Sequence, residues 1–172
     1  MTSSAFSPYA VIVNGRKEAA LAVGGVFAPS VVHIGRPRVQ ETPAPLNVFV
    51  LFTSVEATLA ALKQAGRLAA ELGGRIMLME LQVVPYPLPL TRPPVAMDWN
   101  ERRLRLIAGE SRVETIVHVY LCRDGRQTLE NVLGPHSLVV LGGRKRWLPT
   151  REQRLARGLR QQGHEVILIE TE

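Results

Sequence analysis

The residues best suited to bind an anion lie in Ser137–Trp147, whose sequence is SLVVLGGRKRW. A short apolar run, of the length expected for a buried strand, ends in Gly142 and Gly143, and three cations follow. In a parallel α/β domain, anions and nucleotides commonly bind where the carboxyl end of a strand leads into a helix. The glycines predict a turn at which Arg144 and Lys145 join backbone N–H groups in an anion site. The alternative interpretation is a strand-end turn whose charges are simply solvated.

A second basic feature follows this segment directly. Residues 144–160 hold seven cations and one acid, which alone equals the chain's net charge of +6. Four arginines recur at every third position and predict one exposed face of a helix, suited to an acidic protein partner or to nucleic acid: Arg151, Arg154, Arg157 and Arg160. The alternative is an ordinary solvated helix face, and no aromatic residues interleave with these arginines to stack bases. Trp147 follows the cationic turn and is suited to wall a pocket or cover an interface.

The other reactive side chains form no catalytic or metal-binding pattern. Cys122 is the only cysteine, which excludes an intrachain disulfide and fits a reducing cytoplasm. We interpret it as a buried structural thiol, with activation by the adjacent Arg123 as the alternative. None of the histidines has a cysteine or histidine at ligand spacing, so no metal site is predicted: His33, His118, His136 and His164. No motif places a base beside the hydroxyls of Ser54, Ser137 or Thr150, so no catalytic residues are predicted and the chain is expected not to be an enzyme.

The predicted strands and helices that position these residues begin at Asn47. Apolar runs typical of strands alternate with segments that have helical spacing, and the five predicted strands are residues 47–53, 75–84, 113–122, 137–141 and 165–170. Asp98, Asp124 and Thr150 are predicted to cap three of the intervening helices. Regular alternation of this kind predicts an α/β fold, with a doubly wound five-stranded parallel sheet in a three-layer α/β/α arrangement.

Two segments differ in composition from this regular region. Residues 1–46 are rich in small residues and proline, and we interpret them as an N-terminal extension to a domain of residues 47–172. Tyr9–Val13 and Val31–Ile34 are candidate short strands within that extension. Prolines forbid regular structure over residues 85–94, and the proline-rich loop Tyr86–Met97 is interpreted as a stiff connector, with a lid or docking segment as the alternative.

Residues 47–171 resemble a universal stress protein domain. Three local matches carry the resemblance: FTSVEATLAALKQAGRLAAELGG at residues 52–74, YLCRDGRQTLENVL at residues 120–133, and SLVVLGGRKRW with the closing HEVILIE at residues 137–170. The resemblance implies a doubly wound α/β fold, a stress-response or regulatory role through binding, and a homodimer formed through the edge of the last strand.

The same resemblance makes the nucleotide site look degenerate. Thr53 stands where nucleotide-binding members carry an aspartate, and Gly142 matches the first glycine of their Gly-x2-Gly-x9-Gly-(Ser/Thr) motif. Lys145 replaces the second glycine and is expected to fill the space of a phosphate, while Glu152 and Gln153 replace the final pair. We therefore expect no cofactor and no ATP binding in the family's manner.

Two alternatives stay open. One is a sensor of a nucleotide, such as weakly bound ATP or AMP, or of another phosphorylated ligand, through Thr53 and the segment from Gly142 to Lys145. The other is a nucleic-acid-associated protein that uses the arginine helix at residues 151–160. The sequence shows no apolar run of the length that spans a bilayer and no secretory signal, and predicts a cytoplasmic protein without a membrane partner.

Overall fold

The computed structural model describes the backbone of residues 9–13 and the chain from residue 46 to residue 171. Strands and helices alternate along the chain in the order β1 (Tyr9–Val13), β2 (Asn47–Leu51), α1 (Val55–Leu72), β3 (Arg75–Val83), α2 (Met97–Gly109), β4 (Thr115–Cys122), α3 (Gly125–Val132), β5 (Leu138–Arg144), α4 (Arg151–Gln161) and β6 (Glu165–Thr171). None of the helices within these described ranges is both long enough and apolar enough to cross a membrane.

The described strands form one sheet in the order β1-β4-β3-β2-β5-β6. The five strands from β2 to β6 are parallel, as the sequence predicts, while β1 pairs antiparallel with β4 through a register that includes Tyr9↔Leu121. The predicted strand at Tyr9–Val13 is thus confirmed and extends the sheet at the β4 edge. Val31–Ile34 lies outside the described residues. Since β6 lies at the opposite edge, Tyr9–Val13 does not cover the last strand.

Helices cover both faces of the sheet, which confirms the doubly wound, three-layer prediction. On one face, α1 and α2 bury Ala61, Ala65 and Leu104 against apolar side chains of β2, β3 and β4. On the other, Leu129 of α3 and Leu159 of α4 pack on a second apolar cluster. Burial on both faces explains why these strands read as continuous apolar runs.

Helix ends agree with the predicted capping residues at two of three positions. The Asp124 carboxylate accepts hydrogen bonds from the N–H groups of Arg126 and Gln127 at the start of α3. The Thr150 hydroxyl accepts from the Gln153 N–H, and the Gln153 side chain accepts from the Thr150 N–H, which completes a capping box on α4. Both helices therefore begin where the sequence places them.

The predicted cap at Asp98 is wrong. Helix α2 begins at Met97, and its N-cap is Ala96, which makes no side-chain cap. Asp98 lies inside the first turn, where a carboxylate still favours the helix through the dipole.

The proline-rich connector is held to the sheet at both ends. The Arg123 guanidinium donates to the carbonyls of Val84 and Leu88, each at 2.7 Å, and lies 4.1 Å from the centre of the Tyr86 ring. Near its other end, the Gln82 side-chain amide donates to the carbonyl of Val95 at 2.8 Å. These contacts support the interpretation of this segment as a stiff connector.

Candidate functional site

The candidate site is a crevice of about 400 Å³ beyond the carboxyl ends of β2 and β5. These strands are neighbours in the sheet, but α1 leaves β2 toward one face and α4 leaves β5 toward the other. Ligands of open α/β sheets bind at this kind of reversal in strand order, because the diverging connections leave a gap. The crevice lies between the N-termini of α1 and α4. Its lining residues are Thr53, Ser54, Ala57, Gly143, Arg144, Arg146, Leu148, Pro149, Thr150, Arg151, Glu152 and Arg154.

The paired glycines do not form the predicted turn. Gly142 and Gly143 lie within β5, opposite Ile169 and Glu170 of β6, and the strand continues to Arg144. Neither glycine has a positive φ angle. The expectation that the chain bends sharply here is therefore wrong, because the ladder with β6 keeps the backbone extended past both residues.

Gly142 is required by packing against α1. A Cβ atom at this position would lie 1.9 Å from the carbonyl oxygen of Ala57, so any side chain would push the first turn of α1 off the sheet. Gly142 is buried, and its carbonyl accepts a hydrogen bond of 2.8 Å from the Thr53 hydroxyl. The glycine that matches the family's first phosphate-loop position therefore joins β5 to α1.

Thr53 lines the crevice, as predicted, but its hydroxyl proton is already used. The hydroxyl donates to Gly142, and the Thr53 N–H donates to the Thr58 side chain at 3.2 Å. Thr58 is fully buried under the first turn of α1. This chain of hydrogen bonds fixes the carboxyl end of β2 against β5 and shapes the floor of the crevice.

Arg144 and Lys145, which the sequence places together, lie in different surroundings. The Lys145 N–H donates to the Thr171 carbonyl at 2.9 Å, and its exposed side chain does not line the crevice. The structure therefore places the Lys145 side chain outside the crevice lining, and the expectation that it fills the space of a phosphate stays a prediction. Because backbone groups alternate between the two sides of a strand, the Arg144 N–H points away from β6, toward the side where β2 has ended.

Glu152 occupies the space above Gly143. A Cβ atom on Gly143 would lie 3.1 Å from the Glu152 Cβ, so the first turn of α4 packs closely over this glycine. A carboxylate here neutralises part of the positive potential of the helix N-terminus and repels a phosphate placed directly over the glycine. That Glu152 disfavours a triphosphate bound in the family's manner stays a prediction, and the structure places its carboxylate-bearing side chain over Gly143.

Arginines dominate the charge of the crevice walls. Arg144 and Arg146 approach from the end of β5, and Arg151 and Arg154 approach from α4. All four side chains are exposed. The ion pair of Arg144 with Glu56 is long at 3.8 Å, and both side chains are more than half exposed, so it contributes little. Planar guanidinium groups pair with phosphate oxygens through two parallel hydrogen bonds, which makes this wall suited to a phosphate group.

The hydroxyls considered as nucleophiles serve local structure. The Ser54 oxygen accepts from the Ala57 N–H and caps α1, the Thr150 oxygen caps α4, and the Ser137 hydroxyl donates to the Gly134 carbonyl. In the part of the chain that the structure describes, no group of three or more metal-ligating side chains comes together.

Cys122 is buried, as predicted, at the end of β4. Burial raises the pKa of its thiol, an effect that outweighs the lowering by a hydrogen bond from Thr128. The neighbouring Arg123 is held by the proline-rich connector. The thiol is therefore a buried group whose pKa is raised rather than lowered, which supports its interpretation as structural.

Sequence reasoning missed that the two basic segments meet. It treated Arg144 and Lys145 as a turn and the arginines of α4 as a separate helix face, whereas Arg151 and Arg154 line the same crevice as Arg144. The signal that could have joined them is the reversal of strand order, which places the first turn of α4 beside the end of β5.

Comparison of the chain with models of known protein families and with curated proteins finds no match.

Proposed function

We propose that this chain is a non-catalytic binding domain of the universal stress protein type, whose crevice binds a phosphorylated small molecule through arginines. The observation that carries the proposal is the convergence of Arg144, Arg146, Arg151 and Arg154 on one crevice at the reversal of strand order. Its volume of about 400 Å³ is within the range of small-molecule sites.

The electrostatics of the helix ends support an anion. The N-termini of α1 and α4 both border the crevice, and each contributes a partial positive charge from its free N–H groups. Glu152 is the single acidic residue of the lining, against four arginines. An anion placed beside the guanidinium groups, rather than over Gly143, gains from both helices and avoids the carboxylate.

The mode of binding proposed here differs from that of nucleotide-binding universal stress proteins. Their glycine-rich loop wraps phosphates with backbone N–H groups, whereas Gly142 packs on Ala57 and Gly143 lies under Glu152 in this chain. Arginine side chains would take over that task, and Thr53 would act only as an acceptor because its proton is donated to Gly142. ATP and AMP are candidate ligands through their phosphates alone.

A binding role, rather than catalysis, agrees with the use of the hydroxyls as caps. Ser54 and Thr150 border the crevice, but their oxygens accept helix N–H groups, so nucleophilic attack by either oxygen would compete with capping for the same lone pairs. We propose a regulatory role in which ligand occupancy changes a partner contact. The proposed self-contact is a homodimer through β6, an edge strand whose central side chains Val166, Ile167, Leu168 and Ile169 are only half-buried.

Thermal unfolding tests the ligand proposal. Inorganic pyrophosphate, ATP and AMP are each added at millimolar concentration, with sodium chloride of matched ionic strength as the reference. A ligand at tenfold above its Kd is expected to raise Tm by about 3–5 °C, because binding to the native state stabilises it.

Two arginine substitutions give this test its control. Arg151→Ala is expected to abolish the rise, whereas Arg67→Ala, an exposed position on α1 outside the crevice lining, is expected to leave it unchanged. A Tm that responds to none of the three compounds, or that rises equally in Arg151→Ala, would contradict the proposal.

A further inference from the structure

Trp147 is the most exposed large apolar residue of the described chain. Its side chain is 100% accessible, and the following Leu148 is 75% accessible. The residues on either side of it in the chain, Arg146 and Leu148, line the crevice, so Trp147 belongs to the segment that borders the crevice. Its fully exposed ring has both faces open to solvent, although it takes no part in the crevice lining.

The arginines of α4 extend this basic surface beyond the crevice. Arg151, Arg154, Arg157 and Arg160 are all exposed, and within the described part of the chain none of them forms an ion pair. Arg160 donates to the Val166 carbonyl at 2.7 Å, which holds its side chain against β6. At about 1.5 Å of rise per residue, the four arginines span about 14 Å along the helix. This length exceeds what one phosphate group can contact.

We infer that Trp147 and the arginine face of α4 form a binding surface for single-stranded nucleic acid. Backbone phosphates would contact Arg154 and Arg157, and one base would stack on the open face of the Trp147 indole. Base-aromatic stacking beside a cationic track is the usual way in which proteins bind single strands without sequence preference. The sequence suggested the arginines alone, because Trp147 is not interleaved with them. In the structure, Trp147 is fully exposed in the segment that leads directly into the N-terminus of the arginine helix.

Three other polyanionic partners fit the same surface less well. A polyanion without bases would gain nothing from an exposed indole. An anionic membrane would take up Trp147 and Leu148 as an apolar tip. Two side chains bury little apolar area in a membrane, and even a single acyl chain attached to a protein gives only marginal membrane binding. Paired bases in a duplex are already stacked and offer no face to the ring. A single strand uses both the charge and the ring.

Fluorescence anisotropy of a labelled 15-residue oligothymidylate tests the inference on the full chain at 50 mM and 200 mM salt. We expect saturable binding that weakens as salt rises, because arginine contacts release counterions. Trp147→Leu is expected to weaken binding about tenfold, and Trp147→Phe is expected to restore most of the affinity, because the ring is what stacks. Tryptophan emission should be quenched in the wild type and unchanged in Trp147→Leu, which retains Trp99.

Matched charge reversals and competitors decide between the partners. Arg157→Glu is expected to weaken oligothymidylate binding at least fivefold, while Arg67→Glu, with the same change in charge on α1, leaves it unchanged. Three results would overturn the inference: no saturable binding at 50 mM salt, equal affinity of wild type and Trp147→Leu with full competition by polyphosphate, or binding only to phosphatidylserine vesicles. The pyrophosphate-induced rise in Tm depends on Arg151 and not on Trp147, so each proposal can fail separately.

Discussion

Gly142 shows how one missing side chain determines the distance between a helix and the sheet. Its hypothetical Cβ would lie 1.9 Å from the Ala57 carbonyl oxygen, whereas that of Gly143 would lie 3.1 Å from the Glu152 Cβ. The first contact requires a large displacement of helix backbone, but the second is relieved by a shift of α4 of a few tenths of an ångström. The two adjacent glycines therefore have different tolerances for the same substitution.

We expect Gly142→Ala to lower the free energy of unfolding by about 3 kcal/mol, because α1 must move away from β5. For Gly143→Ala we expect a loss of about 1 kcal/mol or less, partly offset because alanine has less conformational freedom than glycine in the unfolded chain. Urea denaturation of both variants measures the difference. Equal losses would show that the close approach of Gly142 to Ala57 does not limit packing.

His118 is buried on β4, where it is 7% exposed and stacks on Tyr120 with ring centroids 5.9 Å apart. Among the residues that the structure describes, neither nitrogen of its ring has a hydrogen-bond partner. Burial lowers the pKa of His118 below its ordinary value, and the nearby Arg75 adds to the lowering. The native state therefore holds the neutral imidazole, whereas the unfolded chain takes up a proton below about pH 6.5.

The sign of this effect predicts a loss of stability in acid. As the pH falls below about 6.5, the unfolded state binds more protons than the native state, so the free energy of unfolding declines until the lowered native pKa is passed. We expect His118→Phe to reduce that decline and to stay within about 1 kcal/mol of the wild type at pH 7.5, since no hydrogen bond is lost. Urea denaturation at pH 7.5, 6.0 and 5.0 measures both. An unchanged pH profile in His118→Phe would contradict this explanation.

Among the elements, α2 is attached to the sheet by an arginine between two aromatic rings. The Arg103 guanidinium lies 4.4 Å from the centre of the Phe52 ring and 4.7 Å from that of Trp99, and it pairs with Glu80 of β3 at 2.6 Å. Burial raises the pKa of the Glu80 carboxyl, although Arg103 opposes that rise. Removing the arginine leaves this carboxylate poorly solvated and without its partner.

We therefore expect Arg103→Ala to cost about 2 kcal/mol, below the value for a fully buried pair because both side chains keep some solvent contact. Arg105→Ala is the matched control on the same helix, since its (i,i+4) pair with Glu101 involves a half-exposed guanidinium and should cost about 0.5 kcal/mol or less. Chemical denaturation compares them, and Glu80→Gln with Arg103→Met should recover part of the loss. Equal losses of stability in Arg103→Ala and Arg105→Ala would contradict the proposal that the contacts of Arg103 with Glu80 and the two rings attach α2 to the sheet.

The elements themselves were largely predictable, because apolar strands buried on both faces and helices with clear caps leave strong local patterns. The positions of Asp124 and Thr150 show this, since a short polar side chain before a helix has few other uses. The course of Gly142 and Gly143 was not predictable. Whether a glycine pair bends or extends depends on the length of the neighbouring strand β6 and on the approach of α1, which no local pattern encodes.

The candidate site was predictable only in part for the same reason. Thr53, Gly143 and Arg144 line the crevice as expected, but Gly142 and Lys145 do not. Arg146 belongs to the cationic run that the sequence singles out, whereas Arg151 and Arg154 joined the site through tertiary packing of α4 beside the end of β5. Predicting their role requires knowing which helices have their first turn beside the reversal of strand order.

For the whole molecule, β6 leaves one edge of the sheet open within the described chain, while β1 pairs at the other. We expect two copies to pair through β6, which would double the mass in native mass spectrometry. Hydrogen exchange of the β6 amides should slow as protein concentration rises, whereas exchange in β3, at the centre of the sheet, should not change. A monomer at all concentrations, with β6 exchange independent of concentration, would contradict the dimer.

The central claim is that the arginine crevice binds a phosphate group. Two-dimensional ¹H–¹⁵N NMR during titration with pyrophosphate tests it most directly, because it reports the location of the anion as well as its affinity. We predict saturable shifts of the Arg144 amide and of the amides in the first turn of α4, from Arg151 to Arg154, with α2 and α3 unchanged. Shifts spread evenly over exposed basic residues, or none at Arg144 and α4, would contradict the account.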